Sequence, residues 1–376
     1  MVLSSTNTPT EKQIKARPAI QLWLFMICAL IFAMVIVGGA TRLTGSGLSI
    51  TEWKPIVGAI PPLNVEDWND AFEKYKQIPQ YTKINQGMSL NEFKSIFWWE
   101  WAHRFLGRFI GVAFLLPFLF FLFTKRVESS LKPKFWLMFL GGGLQGFVGW
   151  YMVASGLTER VDVSQYRLAA HLGLAVLLFS YIFWGAIGLR RDDVAAVSGG
   201  KLKPHQKSGQ LKAHLKSPAY FITGLIFFQI IAGAFVAGLK AGKVHNTWPL
   251  MDGRFIPEGL GVMTPFWKNL FENVLTVQFN HRMIAYVIAI VVLLHFIQCL
   301  ISKSELAIKG AMPLLVLTFA QIALGIVTLL QFVPLDLALY HQGGAVILLS
   351  VSLWHSRNLY SAVACGQPEA PLKNGC

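Results

Sequence analysis

The chain has 376 residues, 54% of them hydrophobic and only 14% charged, with 33 Lys/Arg against 19 Asp/Glu and a net charge of +14. A water-soluble domain carries about 25% charged residues, so a soluble fold of this size lacks polar surface, and the basic excess reads as membrane topology rather than nucleic-acid binding. The four cysteines, Cys28, Cys299, Cys365 and Cys376, form no CxxC, CxxCH or zinc-finger spacing, which argues against a disulfide-stapled scaffold.

Eight charge-free stretches follow in chain order: 18–41, 109–124, 135–158, 168–189, 217–239, 283–302, 310–335 and 337–356. A bilayer core takes roughly 20 helical residues, and backbone in lipid must satisfy its own hydrogen bonds, so these are predicted transmembrane helices. Residues 1–19 form a short N-terminal segment. The first span has no small-x-small cleavage site and runs into a patterned loop, unlike a signal peptide. That loop, 42–97, mixes charges with aromatics over residues 63–93, which predicts an amphipathic cap over the outer face. The second span is short but extends backwards through residues 98–107, placing Glu100, Arg104 and Arg108 at the membrane face. Segment 190–216 holds seven Lys/Arg among Gly and Ser and reads as an inner linker between an N-terminal unit, 20–189, and a C-terminal unit, 217–360. Residues 361–376 form a polar tail. His205, His214 and His245 are expected to be solvated.

The N-terminus, the loops after spans two, four and six, and the tail together hold 18 Lys/Arg against 6 Asp/Glu. The alternate loops hold 12 against 13, leaving Arg104, Arg108 and Arg282 at helix ends. The positive-inside rule therefore places both termini in the cytoplasm, or in the matrix of an organelle.

The two units repeat. Glu100-Trp-Ala-His103-Arg104 matches Gln278-Phe-Asn-His281-Arg282, Gln145-Gly-Phe-Val-Gly149 matches Gln321-Ile-Ala-Leu-Gly325, and the His171 segment matches the His341 segment, at offsets of 178, 176 and 170 residues. The fold class is thus an all-α integral membrane protein of eight transmembrane helices, arranged as two tandem, pseudo-symmetric four-helix bundles sharing one orientation.

His103, His171, His281 and His341 each begin an even-numbered span, at one predicted depth. Two histidines facing each other within a bundle, without thiols or acids between them, suit a bis-His haem. Zinc or copper would want a third or fourth ligand converging on the pair, and none is apparent. Arg104 and Arg282 either pair with haem propionates or snorkel to the interface. Glu100 lies one turn before His103, where the second unit has Gln278, so only one site has an ionisable group in reach. Flanked by Trp98, Trp99 and Trp101, its carboxyl is expected to take up protons near neutrality, or else to bond an arginine at the surface. Gln145 and Gln321 either touch haem edges or join helices.

Gly38-Gly-Ala-Thr-Arg-Leu-Thr-Gly-Ser-Gly-Leu-Ser49, Trp53-Lys-Pro-Ile-Val-Gly58, Glu100-Trp-Ala-His-Arg-Phe-Leu-Gly-Arg108 and Gln278-Phe-Asn-His-Arg282 resemble the haem A synthase family over residues 20–360. The lack of a cysteine pair in the first outer loop resembles its alphaproteobacterial and mitochondrial branch. The resemblance implies an oxidoreductase acting on a CH3 group. It would convert the C8 methyl of haem O to a formyl group by two hydroxylations via the alcohol haem I, in a bacterial inner membrane. It further implies haem b as cofactor on His281 and His341, substrate held by His103 and His171, and Glu100 as the catalytic carboxyl. The implied partners are membrane lipids, the protohaem farnesyltransferase that makes haem O, and a redox partner not named by the sequence; self-association into a homo-oligomer stays open, and no nucleic acid is implied.

Two other readings stay open. His295 and His355 lie 14 residues after His281 and His341, about 21 Å along each helix and on nearly the same face. Such a pair would let the C-terminal unit stack two haems, as an electron-transfer cytochrome oxidising quinol does; His355 beside Arg357 is otherwise expected to snorkel at the inner interface. The eight spans would also suit a transporter, although Gly-Pro interruptions do not pair between the units.

Overall fold

A computed structural model describes residues 9–54, 57–154, 156–157, 161–197 and 213–366. Its helices are α1 (Glu11–Leu43), α2 (Val65–Lys76), α3 (Pro79–Lys83), α4 (Leu90–Phe123), α5 (Lys132–Ala154), α6 (Gln165–Val197), α7 (Lys216–Gly238), α8 (Asn269–Glu272), α9 (Val274–Ser302), α10 (Glu305–Leu330) and α11 (Leu335–Gly366). No strand occurs among the described residues. All but α2, α3 and α8 are long and apolar enough to cross a bilayer, and the chain is a multi-pass membrane protein.

Helix ends follow local chemistry rather than the edges of the apolar runs. Thr10 and Ser89 each close a capping box, with Gln13 and Glu92 respectively, so α1 and α4 begin well before their charge-free stretches. Through 34 residues α4 rises about 51 Å, well beyond a hydrocarbon core of about 30 Å. α6 continues to Val197, eight residues into the segment expected to be linker, and α11 enters the expected tail as far as Gly366. Residues 1–8, the rest of the linker with His205, and the tail beyond Gly366 lie outside the described residues.

The long helices pack as two rings. In the first, α1 and α5 each touch both α4 and α6; in the second, α7 and α10 each touch both α9 and α11. The first ring closes on Trp23, Phe114, Phe118 and Phe135. The second closes on Ile222, Ile226, Ile288, Val292, Leu314 and Leu349, a cluster that Val176 of α6 joins across the boundary. At one end of the first ring Arg17 and Glu128 form a buried ion pair, Nε to Oε1 at 2.6 Å. At the other end Arg42 donates to the carbonyls of Ala237 and Gly238 and lies 3.5 Å from Asp162, tying the rings together.

The cap over that second end has its own core. Trp68, Phe72, Tyr75 and Ile78 from α2 and the turn after it pack on Phe93 and Phe97 of α4, so the amphipathic pattern of residues 63–93 folds as expected. Burial raises the Tyr75 phenol above its ordinary pKa. Hydrogen bonds from Lys54 and Lys74 hold the Glu52 carboxyl below the usual range.

Candidate active site

His103 on α4 and His171 on α6 sit on diagonal helices of the first ring, and His281 on α9 and His341 on α11 repeat this in the second. All four are half-buried. Each imidazole lies where a neighbouring helix gives up its side chain. A Cβ on Gly38 (α1) would stand 3.2 Å from His103 Nε2, and one on Gly149 (α5) 2.9 Å from His171 Cε1. On Gly233 (α7) it would stand 3.2 Å from His281 Cε1, and on Gly325 (α10) 2.7 Å from His341 Cε1.

Three of the four histidines also have a glutamine one turn before their glycine. Gln145 Nε2 donates to the His171 carbonyl at 3.0 Å and lies 3.1 Å from its Nδ1. Gln321 Nε2 donates to the His341 carbonyl at 2.6 Å and lies 3.1 Å from its Nδ1. Gln229 Nε2 donates to the His281 carbonyl at 2.9 Å and lies 3.4 Å from its Nε2. At the fourth place, one turn before Gly38, stands Met34. A thioether cannot donate a hydrogen bond, so His103 lacks the amide that the other three have.

A porphyrin would be held here between the two imidazoles of each ring. The glycines admit the rings, His281 Nδ1 is buried without a hydrogen-bond partner, and so are Nε and Nη1 of Arg282. Such buried donors cost free energy until something accepts from them.

The two rings part company beside the first histidine of each. Glu100 is 2% exposed and fully engaged: Ser49 Oγ donates to its Oε2 at 2.8 Å, the Ile50 amide at 2.7 Å, and Arg104 to its Oε1 at 3.0 Å from Nε and 2.5 Å from Nη2. Arg104 also donates to the carbonyls of Ile50 and Glu52. In the second ring Gln278 and Arg282 both donate to the His245 carbonyl, at 3.0 and 3.1 Å, and the nearby carboxyl of Asp252 meets the His245 ring instead.

The expected tryptophan enclosure of Glu100 is not found. Successive helical residues diverge by about 100°, and Trp98 and Trp99 turn outward while Trp101 stacks on Phe105. The carboxyl instead meets the loop that the Gly38–Ser49 motif delivers. Thr41 donates to the Trp99 carbonyl, Gly45 turns the chain at φ +69°, and Ser49 arrives beneath α4.

Residues 21–353 match the COX15-CtaA family, described as cytochrome oxidase assembly protein. The chain belongs to the COX15-CtaA family. It is 52% identical to a haem A synthase of Parvibaculum lavamentivorans, over 93% of this chain and 96% of that one. It is 51% identical to one of Bradyrhizobium diazoefficiens, over 91% and 92%, and 47% identical to one of Nitrosospira multiformis, over 95% and 98%.

Two histidines differ from expectation in this family member. His355 does not snorkel; it is 1% exposed, with its Nε2 2.8 Å from that of His295. Metal–imidazole bonds of about 2.0 Å set trans nitrogens about 4 Å apart, so this touching pair leaves no room for a haem and the two-haem cytochrome is not favoured. His245 is not simply solvated either, since its Nδ1 lies 3.0 Å from Asp252 Oδ1 and its carbonyl anchors Gln278 and Arg282. His214 is exposed, as expected.

Sequence reasoning passed over Gln229 and Ser49. The first was legible: Gln229 precedes Gly233 by four residues, the same spacing as Gln145 to Gly149 and Gln321 to Gly325. Gln145 and Gln321, expected either to touch haem edges or to join helices, hold the histidines themselves. Ser49 acts through a fold of the loop that leaves no periodic trace.

Proposed function

We propose that this chain is a haem A synthase, oxidising the C8 methyl of haem O to a formyl group through two successive hydroxylations for cytochrome oxidase haem biosynthesis. The observation that carries the reading is a duplicated histidine cradle in which only one copy has a buried carboxyl. A catalytic site and an electron-carrying site need not be alike, and these two differ at Glu100 and Gln278.

In this reading His281 and His341 hold the resident haem b, with the free nitrogens of Arg282 turned to a propionate. When bound, haem b supplies one-electron transfer. His103 and His171 hold the substrate. Substrate access is supported by the seam between α4 and α5, which is looser than the equivalent α9–α10 pair; no atom lies within 4 Å of a Cβ built on Gly142, Gly143 or Gly146. An amphiphilic haem could pass there from the lipid.

With water as the oxygen source, each hydroxylation forms a C–O bond, passes two electrons to the redox partner and releases two protons, one from the water and one from the methyl carbon. Glu100 accepts the one from the methyl carbon, with Arg104 fixing Oε1 and Ser49 Oγ free to rotate from Oε2. Arg104 would meet a propionate only in competition with Glu100. Of the two substrate ligands His103 is the more easily displaced, because Met34 replaces the glutamine that steadies its counterparts; ligand orientation by such partners commonly governs metal affinity. The basic loops support both termini being cytoplasmic at a bacterial inner membrane, with substrate arriving from a protohaem farnesyltransferase.

The test is chromatography of haems extracted from cells that make haem O and express this chain while lacking their own enzyme for the step. Haem A should accumulate. Haem O alone, with the chain present and loaded with haem b, would reject the reading.

A further inference from the structure

The far end of the second ring carries a cluster that the proposed reaction does not use. His295 and Cys299 stand one turn apart on α9, and His355 faces them from α11. By helix rise this is about 21 Å from the His281–His341 level. His295 and His355 are each 1% exposed and Cys299 is 0% exposed. One nitrogen, one nitrogen and one sulfur lie within 4.8 Å of one another.

Ordinary packing does not demand this trio. The first unit carries Pro117 and Gly185 at the two positions matching His295 and His355, and the equivalent end of that ring closes on aromatic rings and the Arg17–Glu128 pair, with no histidine or cysteine cluster there among the described residues. His355 also keeps an unused ring nitrogen, since its Nδ1 is buried without a hydrogen-bond partner. Room for the His355 ring is made by Gly310 of α10, where a Cβ would stand 2.2 Å from Nδ1. A glycine, two histidines and a cysteine from three helices converge in an apolar shell of Leu215, Ala219, Ala307 and Leu359.

We propose that His295, Cys299 and His355 form a buried site for one monovalent copper ion. The geometry is nearly that of a three-coordinate centre. With metal–nitrogen bonds of about 2.0 Å and a metal–sulfur bond of about 2.3 Å, trigonal angles set nitrogen and sulfur about 3.7 Å apart; the Cys299 Sγ to His295 Nε2 distance is 3.7 Å. The two Nε2 atoms must part from 2.8 Å to about 3.5 Å, exchanging their mutual hydrogen bond for the metal.

Charge selects the ion. The group contains no carboxylate, so its one possible anion is the Cys299 thiolate, formed as the thiol proton leaves to solvent on binding. A monovalent ion on one thiolate is neutral, whereas a divalent ion would leave a net positive charge in an apolar interior, at high cost. Soft sulfur with two imidazoles suits monovalent copper, and zinc would want a fourth ligand.

The test uses the full chain with its haem, purified in detergent, without a polyhistidine tag and with Cys365 and Cys376 changed to serine. Cuprous ion is titrated against a coloured cuprous chelator, and the copper-loaded protein is read by X-ray absorption. One equivalent should bind with a sulfur neighbour in the absorption spectrum. Cys299→Ser should weaken binding at least tenfold, while Cys28→Ser, at a buried cysteine outside the cluster, should not change it. Haem content and spectrum report that each variant has folded, and the wild-type absorption spectrum stands even if Cys299→Ser does not. Less than a tenth of an equivalent bound, a copper shell without sulfur, or zinc competing on equal terms with cuprous ion would overturn the proposal.

Discussion

The glycines beside the four histidines offer a graded test. Replacing Gly325 by Ala puts a methyl 2.7 Å from His341 Cε1, and ordinary contact begins near 3.4 Å, so the imidazole must move about 0.7 Å. The corresponding shift is about 0.5 Å at Gly149 and about 0.2 Å at Gly38 and Gly233. Overpacking a tight site costs about 1–3 kcal/mol, and at about 1.4 kcal/mol per tenfold that is roughly 5- to 150-fold in haem affinity. The G325A chain should lose haem b, measured as haem per chain by its pyridine complex and as loss of the bis-imidazole spectrum. G149A should keep haem b and lose product. G233A should be mild, and Gly224→Ala on α7, with nothing within 4 Å, should be silent. Full haem b with an unchanged spectrum in G325A would refute the cradle argument.

Glu100→Gln should keep haem b, because the second ring is untouched, while product falls at least tenfold in the extracted haems; retained product would remove the carboxyl from the reaction. Met34→Gln should supply the missing amide to His103, holding substrate more tightly and slowing turnover, seen as haem O or the alcohol co-purifying with the chain. Glu128→Ala removes the carboxylate that lies 2.6 Å from the buried Arg17 Nε and should destabilise that end of the first ring, read as a lower unfolding temperature in detergent. Glu52 has a carboxyl held below its ordinary range by Lys54 and Lys74. Its contribution is present above its unfolded pKa, near 4.5, and fades as pH falls through the lower folded value. Protection of the 50–54 loop amides, taken relative to their intrinsic exchange rate at each pH, should therefore fall only on acidification below about pH 4.5, and a loss of protection between pH 6 and 8 would contradict the assignment.

Periodicity and charge were enough to read the eight spans and the tandem bundles, because lipid forces apolar helices and the repeat marks equivalent positions. The cap was legible too, since Trp68, Phe72 and Tyr75 alternate with charges at helical spacing. Helix ends were not, because Ser89 and Glu92 start α4 through a cap rather than through apolarity. The histidines stood out by their matched positions, yet the surroundings of Glu100 did not. Adjacent tryptophans suggested an apolar pocket that helix geometry turns outward, and Ser49 reaches the carboxyl only through a long-range loop contact. His295 and His355 showed the same limit: fourteen-residue spacing set them on the right faces, but only the approach of α9 to α11 reveals that their rings touch.

The division of labour between the rings is tested most directly by haem analysis of paired histidine variants in cells producing haem O. His281→Ala and His341→Ala chains should be purified without haem b and make no haem A. His103→Ala and His171→Ala chains should retain haem b at one per chain and accumulate haem O or its alcohol. Loss of haem b from the His103 and His171 variants, with haem A still formed by those of His281 and His341, would reverse the two sites and contradict the account.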